Sequence, residues 1–499
     1  MLEKIPLPVK GIMDILEENH YQAFVVGGCV RDILMGRNPK DWDVTTDAKP
    51  EELQRLFPES FYENTFGTVS VKVQPFLDFG NKEREHDIVE ITTYRSEGNY
   101  SDGRHPKQVA FEKDLSKDLA RRDFTINALA YGKIEGTWQL IDLYDGVLDL
   151  EKKRLRTVGD PKERFSEDAL RLMRAVRFVT EFRTPNKEDI TSSDWVIEEY
   201  TLTALKELSK NITFVSWERI RDELSKIFLS ANPAFGIQLL EDTQLLQYIM
   251  PELREGIDVT QNLHHVYTVW EHNLRALHTC PSPKLHVRLA TLLHDVAKPR
   301  TKRGNGYRST FYNHDHVGAK MTHAILTRLR YPKDTITKAT LLVDQHLFYY
   351  NVDEVTEASV RRLVKRVGLE NMPDLMDVRI GDRLGSGVPK AKPYKLRHLE
   401  YMIEKVSKDP LSVKMLAIKG TDLITTLKIK PGPTIGAILD VLLAEVLEDP
   451  TKNTPEILLA RSKELEHESL SELRLLAKER ITIEKESTDK SIKKKHWVE

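Results

Sequence analysis

Two aspartates one residue apart, Asp41 and Asp43 in the stretch DWDVTT, follow closely behind a glycine pair, Gly27 and Gly28. In an extended strand alternate side chains share a face, so both carboxylates stand on one side while Trp42 and Val44 point to the other. Like charges held this close raise each other's pKa unless a cation lies between them. A small set of carboxylate oxygens suits Mg²⁺, which keeps several waters and takes further ligands from a substrate's phosphates. Glu90, in the acidic run HDIVEITTYR, would add a third carboxylate from a neighbouring strand. Three such groups would serve a two-metal phosphoryl transfer, one ion activating the attacking hydroxyl and the other bracing the leaving pyrophosphate. Upstream, VVGGCVRD supplies the other half of such a site. Gly27 and Gly28 would let backbone N–H groups approach phosphate oxygens at a helix start, and Arg31 would add a cation.

An isolated D-x-D is more often a solvated surface strand. Here it stands in the order strand, glycine pair, helix with Arg-Asp, then D-x-D strand, and chance assembly of that order is far rarer. A second concentration of chemistry lies between about Gln261 and Gly387, which holds most of the chain's 16 histidines. His264, His265, His272, His278, His286, His294, His314, His316, His323 and His346 all fall there. A lone histidine on an apolar helix is usually a core residue, but imidazoles and carboxylates converging from several helices can hold one or two transition metals.

The elements that must position these groups differ along the chain. From Tyr21 to about Tyr131, strand-like runs (AFVVGG, TVSVKV, DIVEITTY) alternate with short helical pieces (CVRDILMG, PEELQRLF), which predicts an α+β head with a mixed sheet. From about Pro161 the strand signals stop. Runs such as EDALRLMRAVRFVTEF and SWERIRDELSKIFL repeat apolar residues at three and four, so the rest is expected to be helical. A helix break is expected at KIKPGPTIG, one continuous charged helix over PEILLARSKELEHESLSELRLLAKER, and a frayed tail beyond it.

The ordered motifs resemble the class II tRNA nucleotidyltransferases and their relatives the bacterial poly(A) polymerases, within the DNA polymerase beta superfamily. GGCVRDILMGRNPKDWDVTT is similar to the family's catalytic motif, RRDFTINALAY to its ribose-reading motif and EDALRLMRAVRF to its base-reading helix. The resemblance implies that Gly28 and Arg31 face the nucleotide and that Asp41 and Asp43, with Glu90, carry Mg²⁺-dependent catalysis. It implies that Arg122 and Asp123 read the ribose, and that Asp168 and Arg171 imitate a Watson–Crick partner for cytosine and then adenine. Arg174 and Arg177 would meet the triphosphate. The segment Tyr94 to Phe111, with Arg95, Asp102 and Arg104, resembles the flexible loop that CCA-adding members use in switching from C to A addition. The histidine segment resembles the HD phosphohydrolase superfamily, with His272, His294, Asp295, His314, His346 and Asp382 as candidate ligands of a second, transition metal and Lys298 as a phosphate contact.

Asp168, Arg171, Arg174 and Arg177 recur at three-residue steps, a drifting stripe on one helix. Three arginines against one acid leave the row cationic, so an anion from outside is expected to balance it. The whole chain is not cationic: 75 Lys+Arg against 77 Asp+Glu give a net charge of −2, so any nucleic-acid surface must be local. Two distant cysteines exclude a disulfide framework, and neither a secretory leader nor a membrane-spanning run is visible, which points to the cytoplasm.

The expected organisation is a nucleotidyltransferase head over 1–150, a helical neck and body over 151–260, an HD helical domain over 261–390 and a helical tRNA-binding tail over 391–499. The expected activity is addition of CCA to tRNA 3′ ends from CTP and ATP. A poly(A) polymerase acting on RNA 3′ ends, an HD-type hydrolase of RNA ends, and a non-catalytic RNA-binding protein are the competing readings.

Overall fold

In this computed structural model the described residues are 2–498, apart from 63–66, 76–86, 98–108, 187–188, 262–265, 305–307, 353, 388–391, 409–415, 427 and 429. The chain divides into two compact units, one formed by 1–344 with 385–387 and the other by 345–384 with 388–499. His264, His265, Asp102 and Arg104 lie outside the described residues.

The first unit opens with the expected α+β head. Its strands are β1 (Ala23–Val26), β2 (Trp42–Thr46), β3 (Ser60–Tyr62), β4 (Thr68–Val73), β5 (Asp87–Thr93), β6 (Arg95–Glu97), β7 (Val109–Phe111), β8 (Leu129–Ile134) and β9 (Thr137–Asp142). Seven of them form one sheet in the order β3-β4-β5-β2-β1-β8-β9, with β6 and β7 paired apart. Only β2 and β5 run parallel within the seven, which makes the sheet mixed. β1, an interior strand between β2 and β8, is buried on both faces: Val25 joins the main core while Phe24 and Val26 join a second cluster with Tyr94, Leu119 and Ala130. The main core takes Trp42 and Val44 from β2 and Val9, Ile12, Met13 and Leu16 from the helix Leu7–Glu18. Those four recur at helical spacing, so one stripe covers the sheet.

β8 lies against β1 so closely that Gly132 has no room for a side chain; a Cβ there would meet the Phe24 ring and the Ala23 carbonyl. The head then leads into helices, among them Pro161–Glu167, Leu170–Phe182 and Trp217–Leu229. Strands do not stop altogether at Pro161. Arg154–Leu155 (β10) pairs in parallel with Val196–Ile197 (β11), a two-residue ladder too short to leave a periodic signal.

The second unit is helical. Its core gathers Leu423, Ile438, Leu442, Leu458, Leu465 and Leu473 from several helices. The break at KIKPGPTIG is present, with a new helix over Pro433–Glu448. Two expectations for the C-terminus are corrected. The charged segment is two helices, Pro455–Leu465 and Leu470–His496, because Ser469 and Glu472 close a capping box that starts the second. The tail does not fray: that helix runs to His496, whose Nε2 lies 2.7 Å from Glu404 beside the Lys495–Glu404 pair at 2.9 Å. Among the described residues no helix is long and apolar enough to cross a membrane.

Gly132→Val, which forces two strands apart, is expected to destabilise the first unit by about 1–3 kcal/mol in chemical denaturation. A variant as stable as the parent would contradict the close β1–β8 approach.

Candidate active site

Burial of Trp42 and Val44, at 1% and 0% exposure, fixes which face of β2 looks outward, and Asp41 and Asp43 share that face. Both line a cleft of about 570 Å³ whose wall also includes Gly28, Arg31, Lys40 and Arg177. Sequence reasoning therefore brought the acid pair, the glycine turn and one arginine of the stripe to a single place. The β2–β5 register sets Glu90 directly beside Asp43, so their side chains share a face; Glu90 is exposed and is not part of the cleft wall.

Burial pushes the Asp43 carboxyl above the ordinary range. The Arg122 charge pulls it back less strongly, and Asp41 adds to the rise. A carboxylate so placed gains from any cation delivered to the pair. An all-oxygen donor pair in a cleft that also carries arginine and lysine side chains thus fits a hard divalent ion.

The glycine turn works differently from the simplest expectation. Gly27 has φ +80°, which favours glycine, and a Cβ there would stand 2.8 Å from Nη1 of Arg122. Its N–H is already given to the Leu129 carbonyl at 2.9 Å. Gly28, which opens the helix Gly28–Leu34, is the glycine that reaches the cleft. Cys29 beside it is no nucleophile, since burial pushes its thiol up to about 12.

The arginine stripe is real but not unbalanced. Arg171 meets Glu167 at 2.6 Å, Arg174 meets Asp123 at 2.5 Å, and Arg177 meets Glu223 at 2.6 Å and Glu181 at 3.1 Å. The expectation that its countercharge must come from outside is corrected: Glu167, Asp123 and Glu223 come from neighbouring elements and Glu181 from the same helix. Asp168 precedes the helix Leu170–Phe182 rather than lying on it, and its carboxylate is gripped by Arg219 at 2.7 Å. Arg219, Glu223 and Lys226 recur at four and three residues in SWERIRDELSKIFL, so a stripe search on that helix also would have flagged them.

Arg122 pairs with the fully buried Asp118 at 3.1 Å, which leaves its guanidinium packed over the turn. Asp123 is also buried. Burial alone would raise its carboxyl, but Arg174, the Asn127 amide and Arg171 outweigh that and hold it well below the ordinary range. Phe178 packs edge-on against Phe124 at 5.7 Å, with Arg31 over the Phe178 and Phe182 rings at 5.2 and 5.0 Å. These contacts fasten the head to the helix that follows it.

In the histidine segment, the first unit holds His272, His294, Asp295, His314 and Lys298. Nε2 of His272 lies 3.1 Å from Nε2 of His294, and both stand 3.3 Å from the Asp295 carboxylate, as does Nε2 of His314. Nδ1 of His294 meets the Thr291 carbonyl and Nδ1 of His314 the Phe311 carbonyl, at 2.8 and 2.7 Å. A carbonyl only accepts, so these contacts place protons on Nδ1 and turn Nε2 lone pairs toward an anion. That arrangement calls for a shared cation and fits a transition metal. Lys298 closes on Asp295 at 2.6 Å. His346 and Asp382 belong to the second unit, where His346 is buried and Asp382 pairs with Arg379 at 2.7 Å.

The chain matches the Poly A polymerase head domain over 23–156 and a "Probable RNA and SrmB- binding site of polymerase A" over 196–257. It matches the HD domain over 263–384 and tRNA nucleotidyltransferase domain 2 over 388–461. The CCA-adding enzyme of Lactococcus lactis subsp. cremoris strain MG1363 is 31% identical over 471 residues, covering 93% of this chain and 98% of the relative. An A-adding tRNA nucleotidyltransferase of Deinococcus radiodurans is 35% identical over 350 residues, covering 67% and 76%. The crystal structure of the Bacillus stearothermophilus CCA-adding enzyme in complex with CTP superposes with a TM-score of 0.58 at 25% identity, covering 92% of this chain and 98% of that one.

The Asp123 charge predicts a pH signature. Its folded pKa is depressed, so its stabilisation is complete above about pH 4 and drains as pH falls through the folded value. Asp123→Asn is expected to lower the thermal midpoint at pH 7, with the gap to the parent closing below about pH 4. A gap independent of pH would contradict the ion pair.

Proposed function

The chain belongs to the family of CCA-adding enzymes, and we propose that it builds the CCA end of tRNA from CTP and ATP. The observation that carries this is the cleft in which the acid pair of β2 meets the Gly28 turn and Arg177. Divalent-metal dependence goes with the nucleotidyltransferase head and HD domain; that the ion is Mg²⁺, held by Asp41 and Asp43 with Glu90 beside them, belongs to this proposal. Bound there, Mg²⁺ would supply positive charge to the attacking 3′-hydroxyl and to the triphosphate.

The protein's own part is positioning and charge. Arg177 and Lys40 set cations on the cleft wall for the triphosphate. Arg122 and Asp123 take the sugar. Asp168 offers an acceptor and Arg171 donors to the base edge, in exchange for their present partners Arg219 and Glu167. A wrong base would then leave buried groups unpaired, at roughly 1–3 kcal/mol each. The assignment of 1–150 to head, 151–260 to neck and body, 261–390 to HD domain and 391–499 to a tRNA-binding tail is part of the same reading. So is a cytoplasmic location, which suits two buried free thiols.

A second activity is favoured by the convergence of imidazole Nε2 atoms on Asp295. A transition metal held there would supply an activated water for phosphoester hydrolysis at RNA ends. His294→Ala is expected to lose that metal, measured by elemental analysis of the purified protein, while Asp43→Ala keeps it; equal metal content in all three proteins would sink this second site.

The main test uses tRNA lacking its last three nucleotides, with each NTP alone and together, and sequencing of the product end. CTP and ATP together should yield CCA. Asp41→Ala should cut incorporation roughly a hundredfold or more, since several kcal/mol of charge stabilisation leave with the ion. Surviving incorporation in that variant would overturn the assignment of the acid pair. Extension of a generic oligonucleotide by ATP alone would instead mark a poly(A) polymerase.

A further inference from the structure

Asp123 is surrounded by four donors. Its Oδ1 accepts from the Phe124 N–H at 2.8 Å and from Nδ2 of Asn127 at 3.0 Å. Its Oδ2 accepts from Nε and Nη2 of Arg174 at 2.8 and 2.5 Å. A carboxylate has about four lone-pair sites, so these four fill it. The two sides are unlike. Oδ1 is tied by a backbone amide and by a side chain only 5% exposed, whereas the Arg174 side chain is 31% exposed and can leave.

Asn127 is held at its other end as well. Its Oδ1 accepts from Nη1 of Arg31 at 2.5 Å, and Arg31 belongs to the helix that follows the glycine turn and lines the cleft with Asp41 and Asp43. An amide carries an acceptor on one arm and donors on the other, so a cation and an anion on its two sides fix which way it faces. Arg31 is itself tethered by Asp32 and by the Phe178 and Phe182 rings, which makes it a rigid anchor. Neither the phosphate-facing turn nor the sugar-reading motif contains this link alone.

We propose that Asn127 is a positioning residue for sugar selection: it pins Oδ1 of Asp123 to the Arg31 turn, so that only Oδ2 exchanges Arg174 for a ribose hydroxyl. The inference rests on the polymerase reading given above. It follows that a nucleotide whose triphosphate draws Arg174 away is the one whose 2′-hydroxyl is read, with the carboxylate already aimed. Alanine at 127 removes the aim and leaves both buried charges short of a partner. Aspartate keeps an acceptor for Arg31 but sets a second carboxylate against Asp123.

The test compares full-length parent, Asn127→Ala and Asn127→Asp on tRNA lacking CCA, with CTP, 2′-deoxy-CTP and UTP. In both variants the CTP to deoxy-CTP ratio of kcat/KM is expected to fall about tenfold, the scale of one buried charge-assisted hydrogen bond, while the CTP to UTP ratio stays within about twofold. Adding Arg31→Lys to Asn127→Ala is expected to raise the KM for CTP by less than the product of the two single effects. If the sugar ratio holds while overall activity drops, or if both ratios fall together, Asn127 is merely structural and the proposal is wrong. Should alanine prevent folding, as a thermal melt would reveal, the aspartate variant decides by the same ratios. A parent that incorporates neither nucleotide defeats the polymerase reading itself, whereas an active parent with unmoved ratios in the variants defeats this proposal only.

Discussion

Asp41 and Asp43 put two negative charges on one strand face at the edge of a cleft, and like charges so close are tolerated only where positive charge can reach them. The rest of the head is arranged around that constraint. Trp42 and Val44 drive into the core and so prevent the strand from turning its acids away. Gly27 clears space for the Arg122 guanidinium, whose charge lowers the energy of ionised Asp43 without cancelling it. The remaining deficit is what a divalent ion would fill, and it is created by burial rather than by the aspartates' identity alone.

The same logic extends into the helix that follows the head. Arg171, Arg174 and Arg177 each face an acid from a different element: Glu167 from the preceding helix, Asp123 from the head, Glu223 from Trp217–Leu229. Partly buried pairs of this kind contribute little net stability, because desolvation offsets attraction, yet removing one partner strands the other. They therefore hold the groups that would meet a nucleotide in defined places. On the proposed reading, an incoming substrate would exchange one satisfied partner for another, which would make recognition a competition. Of those pairs, Arg174 with Asp123 joins residues about fifty positions apart and ties the helix Leu170–Phe182 to the head, while Asp168 with Arg219, as far apart in sequence, ties the start of that helix to Trp217–Leu229.

Much of this was legible beforehand, for identifiable reasons. The D-x-D alternation, the glycine bend and the amphipathic runs are local patterns, and local patterns survive folding when burial agrees with them. Both halves of the cleft were visible in that way, whereas the set of His272, His294, His314 and Asp295 came from the ordered resemblance to HD phosphohydrolases, since each histidine alone reads as a core residue. What sequence hid were partnerships across long separations. Nothing in EDALRLMRAVRF reveals that Glu223 lies against Arg177, or that Asn127 bridges Arg31 and Asp123. The C-terminal expectations failed for a related reason: a capping box at Ser469 splits one charged run, and contacts with Glu404 hold a tail whose composition suggests fraying.

If the proposed function is right, the outward face of β2 gathers divalent ions for a nucleotide. Crystals grown with Mn²⁺ and a non-hydrolysable CTP analogue would test it through the manganese anomalous signal. A peak is expected within coordination distance of both Asp41 and Asp43, touching the triphosphate. A triphosphate bound with no metal at those carboxylates, or metal bound there with the nucleotide seated elsewhere, would contradict it.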